Sequence, residues 1–421
     1  MNELKSADIA WVTTATAMVL LMTPGLALFY GGMVRGKNVL STCMHSFFAI
    51  GVMTLQWFVV GYSLAFGPDI GGGLLGSFQY VLLDGVGLEP APLAPSIPHL
   101  SFMAFQMMFA IITPALISGA FAERLKFSTY VIFIALWGTL VYDPICHWVW
   151  GPNGWLAQRG AIDFAGGTVV HLSAGISALV FALVLGKRVN PTPPHNLPLT
   201  LIGAGLLWFG WFGFNAGSAL AANSKAVLAL VNTQIAAASA AVAWACVEWM
   251  RQGKPTALGV ASGLVAGLVA VTPAAGFVSP TSALLIGAVT GPICFLAVLL
   301  KPRLEYDDSL DAFGIHGVGG ALGALLTGVF ASAAWSSPGD PAHGIQGLLE
   351  GNSKQLVEQL FGVVVAGSYA AIVTWVLVLV LDALLGLRVP EDSEREGLDV
   401  SLHGEEAYHA APGSAVRTSL E

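Results

Sequence analysis

Eleven stretches of this 421-residue chain are apolar over about the length that crosses a bilayer, and that repetition leaves little freedom in fold class. They lie near residues 9–33, 39–66, 99–121, 127–149, 163–185, 198–221, 226–250, 257–276, 281–300, 309–333 and 356–386. Inside hydrocarbon a backbone must satisfy its own polar groups, so uninterrupted runs of this length read as helices. Only 10% of the residues are charged, far below the roughly 25% of soluble domains, and the mean hydropathy is +0.74. The expectation is an all-α integral membrane protein with eleven transmembrane helices, multi-pass in the cell (inner or plasma) membrane.

Orientation follows from the basic residues between the runs. With an external N-terminus, Arg35, Lys37, Arg124, Lys126, Lys187, Arg188, Arg251, Lys254, Lys301, Arg303, Arg388, Arg395 and Arg417 fall inside, and only Lys5, Arg159, Lys225 and Lys354 fall outside. Thirteen against four places the C-terminus in the cytoplasm. Residues 1–386 then form the transmembrane domain, and 387–421 a soluble, acidic and polar regulatory tail. Asn2 to Asp8 is mixed in charge and runs into a span-length segment, so no signal peptide is expected. Cys43, Cys146, Cys246 and Cys294 lack CxxC spacing, which supports neither a disulfide framework nor a cysteine metal site; they read as small packing residues.

Two halves of the chain echo each other. PGLALFYGG (24–32) resembles GWFGFNAGS (210–218), and an Asp-x7-His spacing in the fifth run, Asp163 to His171, recurs in the tenth, Asp308 to His316. The offset of five runs reverses orientation, so residues 9–185 and 198–333 are expected to be inverted repeats with a site near the midplane between them, the run at 356–386 standing outside. At 1.5 Å per residue each histidine lies about 12 Å in from opposite faces, close enough to meet across a core of about 30 Å.

Ionisable groups at membrane depth are costly and mark function, but three readings of the histidines are open. Each could be a buried histidine bonded to a neighbouring helix. Both could bind a metal, although two imidazoles without a third ligand fall short of common zinc or iron sets. Or they could line a path, one neutral imidazole donating N–H to the other and leaving a nitrogen for a passing solute. Asp163 reads as an N-cap accepting from amides two or three residues on, with a charge that also attracts cations to an outer vestibule. Asp308 and Asp311 are expected to cap the tenth helix similarly, in an otherwise solvated loop. Phe105 and Phe109 share a helix face, Trp150 ends the fourth run, and Phe214 shares a face with Ser218. Aromatic faces plus one hydroxyl suit a desolvating cation. Glycines such as Gly25, Gly167, Gly213, Gly317 and Gly320 read as close helix packing.

The segments MTPGLALFYGGMVRGKNVL, FAERLKFS, DFAGGTVVHLSAG, HNLPLTLIGAGLLWFGWFGFNAGSA, DAFGIHGVGG and LRVPEDSEREGLDVSLHGEEAY resemble the ammonium transporter (Amt/Mep/Rh) family, bacterial Amt branch, over residues 8–410. The resemblance implies a homotrimer with one conduction path per protomer, moving ammonium or ammonia, and methylammonium as an analogue. It maps an outer ammonium site to Phe109, Trp150 and Ser218, with Asp163 as the acidic residue needed for recognition. It maps a gate to Phe109 and Phe214 with Phe105 nearby, an inner pore aromatic to Phe29, and twin histidines to His171 and His316. Beyond membrane lipids, the implied partner is a cytoplasmic PII signalling protein at the tail; no cofactor, metal or nucleic acid is implied. APGSAVRTSLE, from Ala411, departs from the family pattern.

Cost shapes the expected mechanism. Even low figures for a charged side chain at the bilayer centre are about 2.5 to 3.5 kcal/mol; losing the proton removes most of such a penalty. NH4+ is therefore expected to be captured outside, deprotonated near Asp163, and to cross as NH3 past the histidines, with electrogenic transfer of the proton. The alternatives are an ammonium sensor, which lacks a fused output domain here, and a channel for a neutral gas such as CO2. An enzyme finds no nucleotide loop or GxSxG in its support.

Overall fold

A computed structural model describes residues 3–408. We label the long helices in chain order: α1 Ser6–Met33, α2 Val39–Phe66, α3 His99–Phe121, α4 Phe127–Trp137 continuing through Gly138–Tyr142 into Asp143–Trp150, α5 Gly167–Leu185, α6 Leu197–Gly217, α7 Ser224–Gln252, α8 Ala257–Val271, α9 Pro280–Leu300, α10 Phe313–Phe330 and α11 Ser353–Leu385. Ten are long and apolar enough to cross a membrane. The run at 257–276 departs from expectation: its helix α8 stops after 15 residues. Pro273 follows closely and cannot continue a helix, and residues 272–278 fold as turns.

Polar caps start several helices where the sequence changes from loop to apolar run. The side chains of Asn196, Asn223, Thr256 and Ser279 accept from Leu199 N, Ala226 N, Gly259 N and Ser282 N. Pro24, Pro114 and Pro292 sit inside α1, α3 and α9, tolerated because neighbouring helices enclose the freed backbone groups. A two-stranded antiparallel hairpin, β1 Pro90–Ala91 and β2 Ala94–Pro98, precedes α3.

Two close helix crossings organise the centre. A Cβ on Gly25 would lie 3.0 Å from Leu206 Cβ, one on Gly203 2.2 Å from Phe29 N, and one on Gly213 2.7 Å from Met18 Cβ. The partner number falls as the glycine number rises, so α1 and α6 run antiparallel in near-backbone contact. Likewise a Cβ on Gly175 would lie 2.0 Å from Gly317 N, and one on Gly320 2.8 Å from Leu172 N, so α5 and α10 cross antiparallel. Both helices open with π turns, Gly167–Leu172 and Phe313–Gly317, and each histidine is the next-to-last residue of its turn. Such bulges turn side chains out of α-helical register and recur at functional sites.

The face carrying most of the basic residues is knitted by buried ion pairs. Glu123 is 2% exposed and its Oε1 accepts from Arg35 N and Nε, both at 2.9 Å, and from Asn38 Nδ2 at 2.7 Å. Its Oε2 accepts from Arg188 Nη1 at 2.9 Å, and Arg188 in turn grips both oxygens of Asp307 at 2.9 Å. Burial alone pushes both carboxyls up, but the Arg35 amide and the two guanidiniums hold Glu123 below the usual carboxylate range, and Arg188 holds Asp307 down to about 2. The loop 307–311 is therefore not the solvated segment expected. Asp308 is 1% exposed, and Asp311 does not cap α10: it has φ +61° and binds Lys301 Nζ at 2.5 Å.

The segment after α11 packs onto this face as well. Leu387, Val389, Glu394, Leu398 and Asp399 are buried. Glu394 accepts from Arg388 Nη2 at 2.7 Å and from Val189 N at 2.6 Å, while Asp399 Oδ1 accepts from Ser41 N at 2.8 Å. Arg417 and the atypical stretch from Ala411 lie outside the described residues. All four cysteines are free; Cys43, Cys146 and Cys294 pack inside, but Cys246 is exposed on α7.

Candidate functional site

Asp163 does not begin α5 as its N-cap residue. It sits in the preceding loop, and Gly166 at φ +119° turns the chain back so that four amides face one carboxylate. Oδ1 accepts from Gly166 N and Gly167 N at 2.7 and 2.8 Å, and Oδ2 from Thr168 N and Val169 N at 2.7 and 3.2 Å. The physics expected of a cap is present, but from three to six residues on, at a helix end whose free amides and dipole both favour an anion. Asp308 repeats the device more sparely, with Oδ2 accepting from Phe313 N at 2.7 Å and a buried Oδ1 without a partner.

Asp163, Trp150 and Ser218 share one open pocket of about 310 Å³, lined also by Phe66, Phe102, Gln106 and Phe277. Trp150 Nε1 donates to the Asp163 carbonyl oxygen at 2.8 Å, fixing the indole over the pocket. The Ser218 hydroxyl donates to Phe214 O at 2.8 Å. Its hydrogen is thereby committed inward, and its lone pairs are left to accept from an N–H donor in the pocket.

Below this vestibule the aromatic rings close ranks. Phe109 lies 4.2 Å from Phe214 between ring centroids, tilted by 33°, and meets Trp150 edge-on at 5.8 Å. Phe105 meets Phe109 edge-on from behind at 5.0 Å and is fully buried; it backs the pair and does not border the pocket.

Beyond the rings lies a second, narrow cavity lined by Phe29, His171, Trp211, Phe214, His316 and six aliphatic or methionine side chains from α1, α3, α6 and α8. The water-sized space within it is about 10 Å³, the room of one small molecule. His171 Nδ1 and His316 Nδ1 are 3.3 Å apart, their rings stacked at 5.3 Å with 21° between planes. One hydrogen must lie between these two nitrogens, so one imidazole carries its proton on Nδ1 and the other on Nε2. The pair then offers one bare nitrogen and one N–H. His171 Nε2 is buried and unpartnered.

The two histidines and Phe29 thus share one cavity, Trp150, Ser218 and Asp163 share the other, and Phe109 with Phe214 stands between them. Sequence reasoning missed Trp211, which stacks on His171 at 5.2 Å and is anchored by its Nε1 bond to Thr272 Oγ1 at 2.8 Å. It also missed the apolar lining. Helical spacing was the available signal: Met22, Leu26 and Phe29 fall at i, i+4, i+7, as do Leu207, Trp211 and Phe214.

Known proteins resemble this chain over nearly its whole length. The family model described as Ammonium Transporter Family matches residues 10–408. The ammonium transporter of Aquifex aeolicus (strain VF5) is 52% identical over 412 residues, 97% of this chain and 94% of the relative. That of Bacillus subtilis (strain 168) is 48% identical over 408 residues, 96% of this chain and 99% of the relative. The crystal structure of Saccharomyces cerevisiae Mep2 superposes with a TM-score of 0.87 at 41% identity, covering 92% of this chain and 88% of that one. With span-length apolar helices and a family match over nearly its whole length, this chain is a multi-pass membrane protein that belongs to the Ammonium Transporter Family.

Proposed function

We propose that the protein is an ammonium transporter of the cell (inner or plasma) membrane that captures NH4+ outside and conducts NH3. The observation that carries this reading is the pair of compartments that Phe109 and Phe214 separate: an open vestibule with a buried anion and aromatic walls, and a narrow, mostly apolar cavity in which two histidines contact each other directly. NH4+ is held against the faces of Phe109 and Trp150 by cation–π attraction, with Ser218 accepting one N–H and the charge of Asp163 favouring the cation. It loses its proton there. NH3 passes when Phe109 and Phe214 part, then meets an acceptor or donor nitrogen of the His171–His316 pair and leaves past Phe29. The proton given up in the vestibule crosses separately along the His171–His316 pair, so a net charge moves with each NH3 and transport is electrogenic.

Eleven passes, with α8 as the short one, an external N-terminus, an inverted repeat of α1–α5 and α6–α10, and a cytoplasmic regulatory tail complete this reading. Its support is the antiparallel crossings of α1 with α6 and α5 with α10, the matched π turns, and the basic face built around Arg35, Arg124, Arg188 and Arg388. Homotrimeric assembly and docking of a PII-type signalling protein on the tail face belong to the same proposal. Reconstitution into liposomes tests it: an ammonium jump should evoke a transient current that methylammonium also evokes and that His171→Ala removes. No current from wild-type protein, with ammonia still crossing, would refute the electrogenic mechanism.

A further inference from the structure

Another buried acid lies inside the membrane domain, lining neither compartment. Asp143, on α4 just after the π turn Gly138–Tyr142, is fully buried. Facing it from α2 is Gln56, beside the π turn Trp57–Gly61, and Gln56 Nε2 donates to Asp143 Oδ2 at 2.7 Å and to Thr139 Oγ1 at 3.0 Å. The Thr139 hydroxyl hydrogen is already spent on Ala135 O at 3.0 Å, so Thr139 can only accept, and the amide group facing it must be the NH2. The Gln56 orientation is therefore fixed. This leaves two atoms buried without any partner, Asp143 Oδ1 and Gln56 Oε1, which are the remaining arms of the same two side chains.

Two oxygens cannot satisfy each other, and no basic side chain pairs with Asp143 among the described residues. An uncompensated carboxylate and an orphaned amide carbonyl buried away from water would each carry an unrepaid desolvation cost. One hydrogen removes both problems. Placed on Oδ1 it converts the acid to a donor for Oε1 and closes an eight-membered acid–amide ring, N–H to Oδ2 on one side and O–H to Oε1 on the other.

We propose that Asp143 and Gln56 form a proton-binding site within the membrane domain: a neutral carboxylic acid in a cyclic pair with the amide, tying α2 to α4 at their facing π turns. The proposal goes beyond the ammonium reading and does not depend on it. The titratable groups around the pair are Tyr142 and Cys146 on α4 and, past them, Asp163 of the vestibule, which acts on the same Tyr142 and Cys146 as Asp143 does. The bound proton thus also withholds a second negative charge from the neighbourhood of Asp163.

The test is infrared difference spectroscopy of purified wild-type protein against Asp143→Asn, paired with thermal melting. Asparagine can form the same ring as an amide–amide pair, so Asp143→Asn should melt as wild type does near neutral pH, whereas Asp143→Ala and Gln56→Leu should melt several degrees lower. The wild-type minus Asn spectrum should contain a protonated-carboxyl C=O band that shifts in D2O, and alkaline titration should lower the wild-type melting temperature while leaving that of the Asn variant unchanged. A difference spectrum with carboxylate bands at neutral pH would overturn the proposal. So would an Asn variant that melts as low as the Ala variant.

Discussion

Replacing Asp163 by asparagine separates its two roles within one nearly isosteric change. The carboxylate accepts four backbone amides, two on each oxygen. Asparagine keeps one oxygen and turns an NH2 toward the other two amides, so two charge-assisted bonds, each worth about 1.5 to 3 kcal/mol, are lost. The upper limit is about 3 to 6 kcal/mol, reduced because the vestibule lets water reach the freed amides. The charge is a distinct term: at about 7 Å and an effective dielectric constant near 20, it stabilises a vestibule cation by about 2 kcal/mol, or some 30-fold in occupancy. Ammonium-evoked current from proteoliposomes, normalised to folded protein by gel filtration, should therefore fall at least 30-fold in Asp163→Asn. Asp163→Glu, which keeps the charge on a longer arm, should recover part of it. If Asp163→Asn melts lower but conducts normally per folded molecule, the aspartate is a structural cap and the recruitment argument is wrong; normal stability and normal current together would refute both.

Three further outcomes follow from the same geometry. Phe214→Ala removes the ring 4.2 Å from Phe109 and joins vestibule to cavity; it should cost about 3 to 5 kcal/mol of stability and admit water, so an interior pH dye should report proton leak without ammonium. Gly175→Ala places a Cβ 2.0 Å from Gly317 N, a backbone clash that forces α5 and α10 apart at a cost of about 1 to 3 kcal/mol. Transport should drop with Trp211 and the vestibule untouched, and unchanged transport would argue against the histidine contact. On the basic face, Asp307 is lowered to about 2 although burial opposes it, because Arg188 holds its charged form. Stability from a lowered carboxyl is present above its ordinary range and is lost as pH falls toward that value, so melting temperature should decline from about pH 4 downward, and Asp307→Asn should flatten that limb.

Much of this was legible in the chain. Apolar run length predicted ten of the spans, because burying a helix in hydrocarbon is a property of a segment taken alone. The eleventh was overextended at 257–276, although Pro273 marked where α8 had to stop. The Asp-x7-His spacing pointed to a histidine pair, but the reading of Asp163 as an N-cap missed a loop that folds back through Gly166. Asp307 and Asp308 looked solvated because charged residues usually are. Asp307 is held by Arg188, 119 residues away, and a partner that remote leaves no mark on the local sequence. Gln56 and Asp143 gave no local sign of pairing for the same reason.

The sequence by itself determined the class of the protein: apolar helices, their number within one, and their membrane. These are sums over neighbouring residues, and hydropathy and periodicity read such sums directly. Only the tertiary structure decided that His171 and His316 meet at 3.3 Å, and that Phe109 and Phe214 pack together between the open pocket and the narrow cavity. Those distances are set where glycines let α5 reach α10 and α1 reach α6, and a contact between remote helices has no signature in either segment alone.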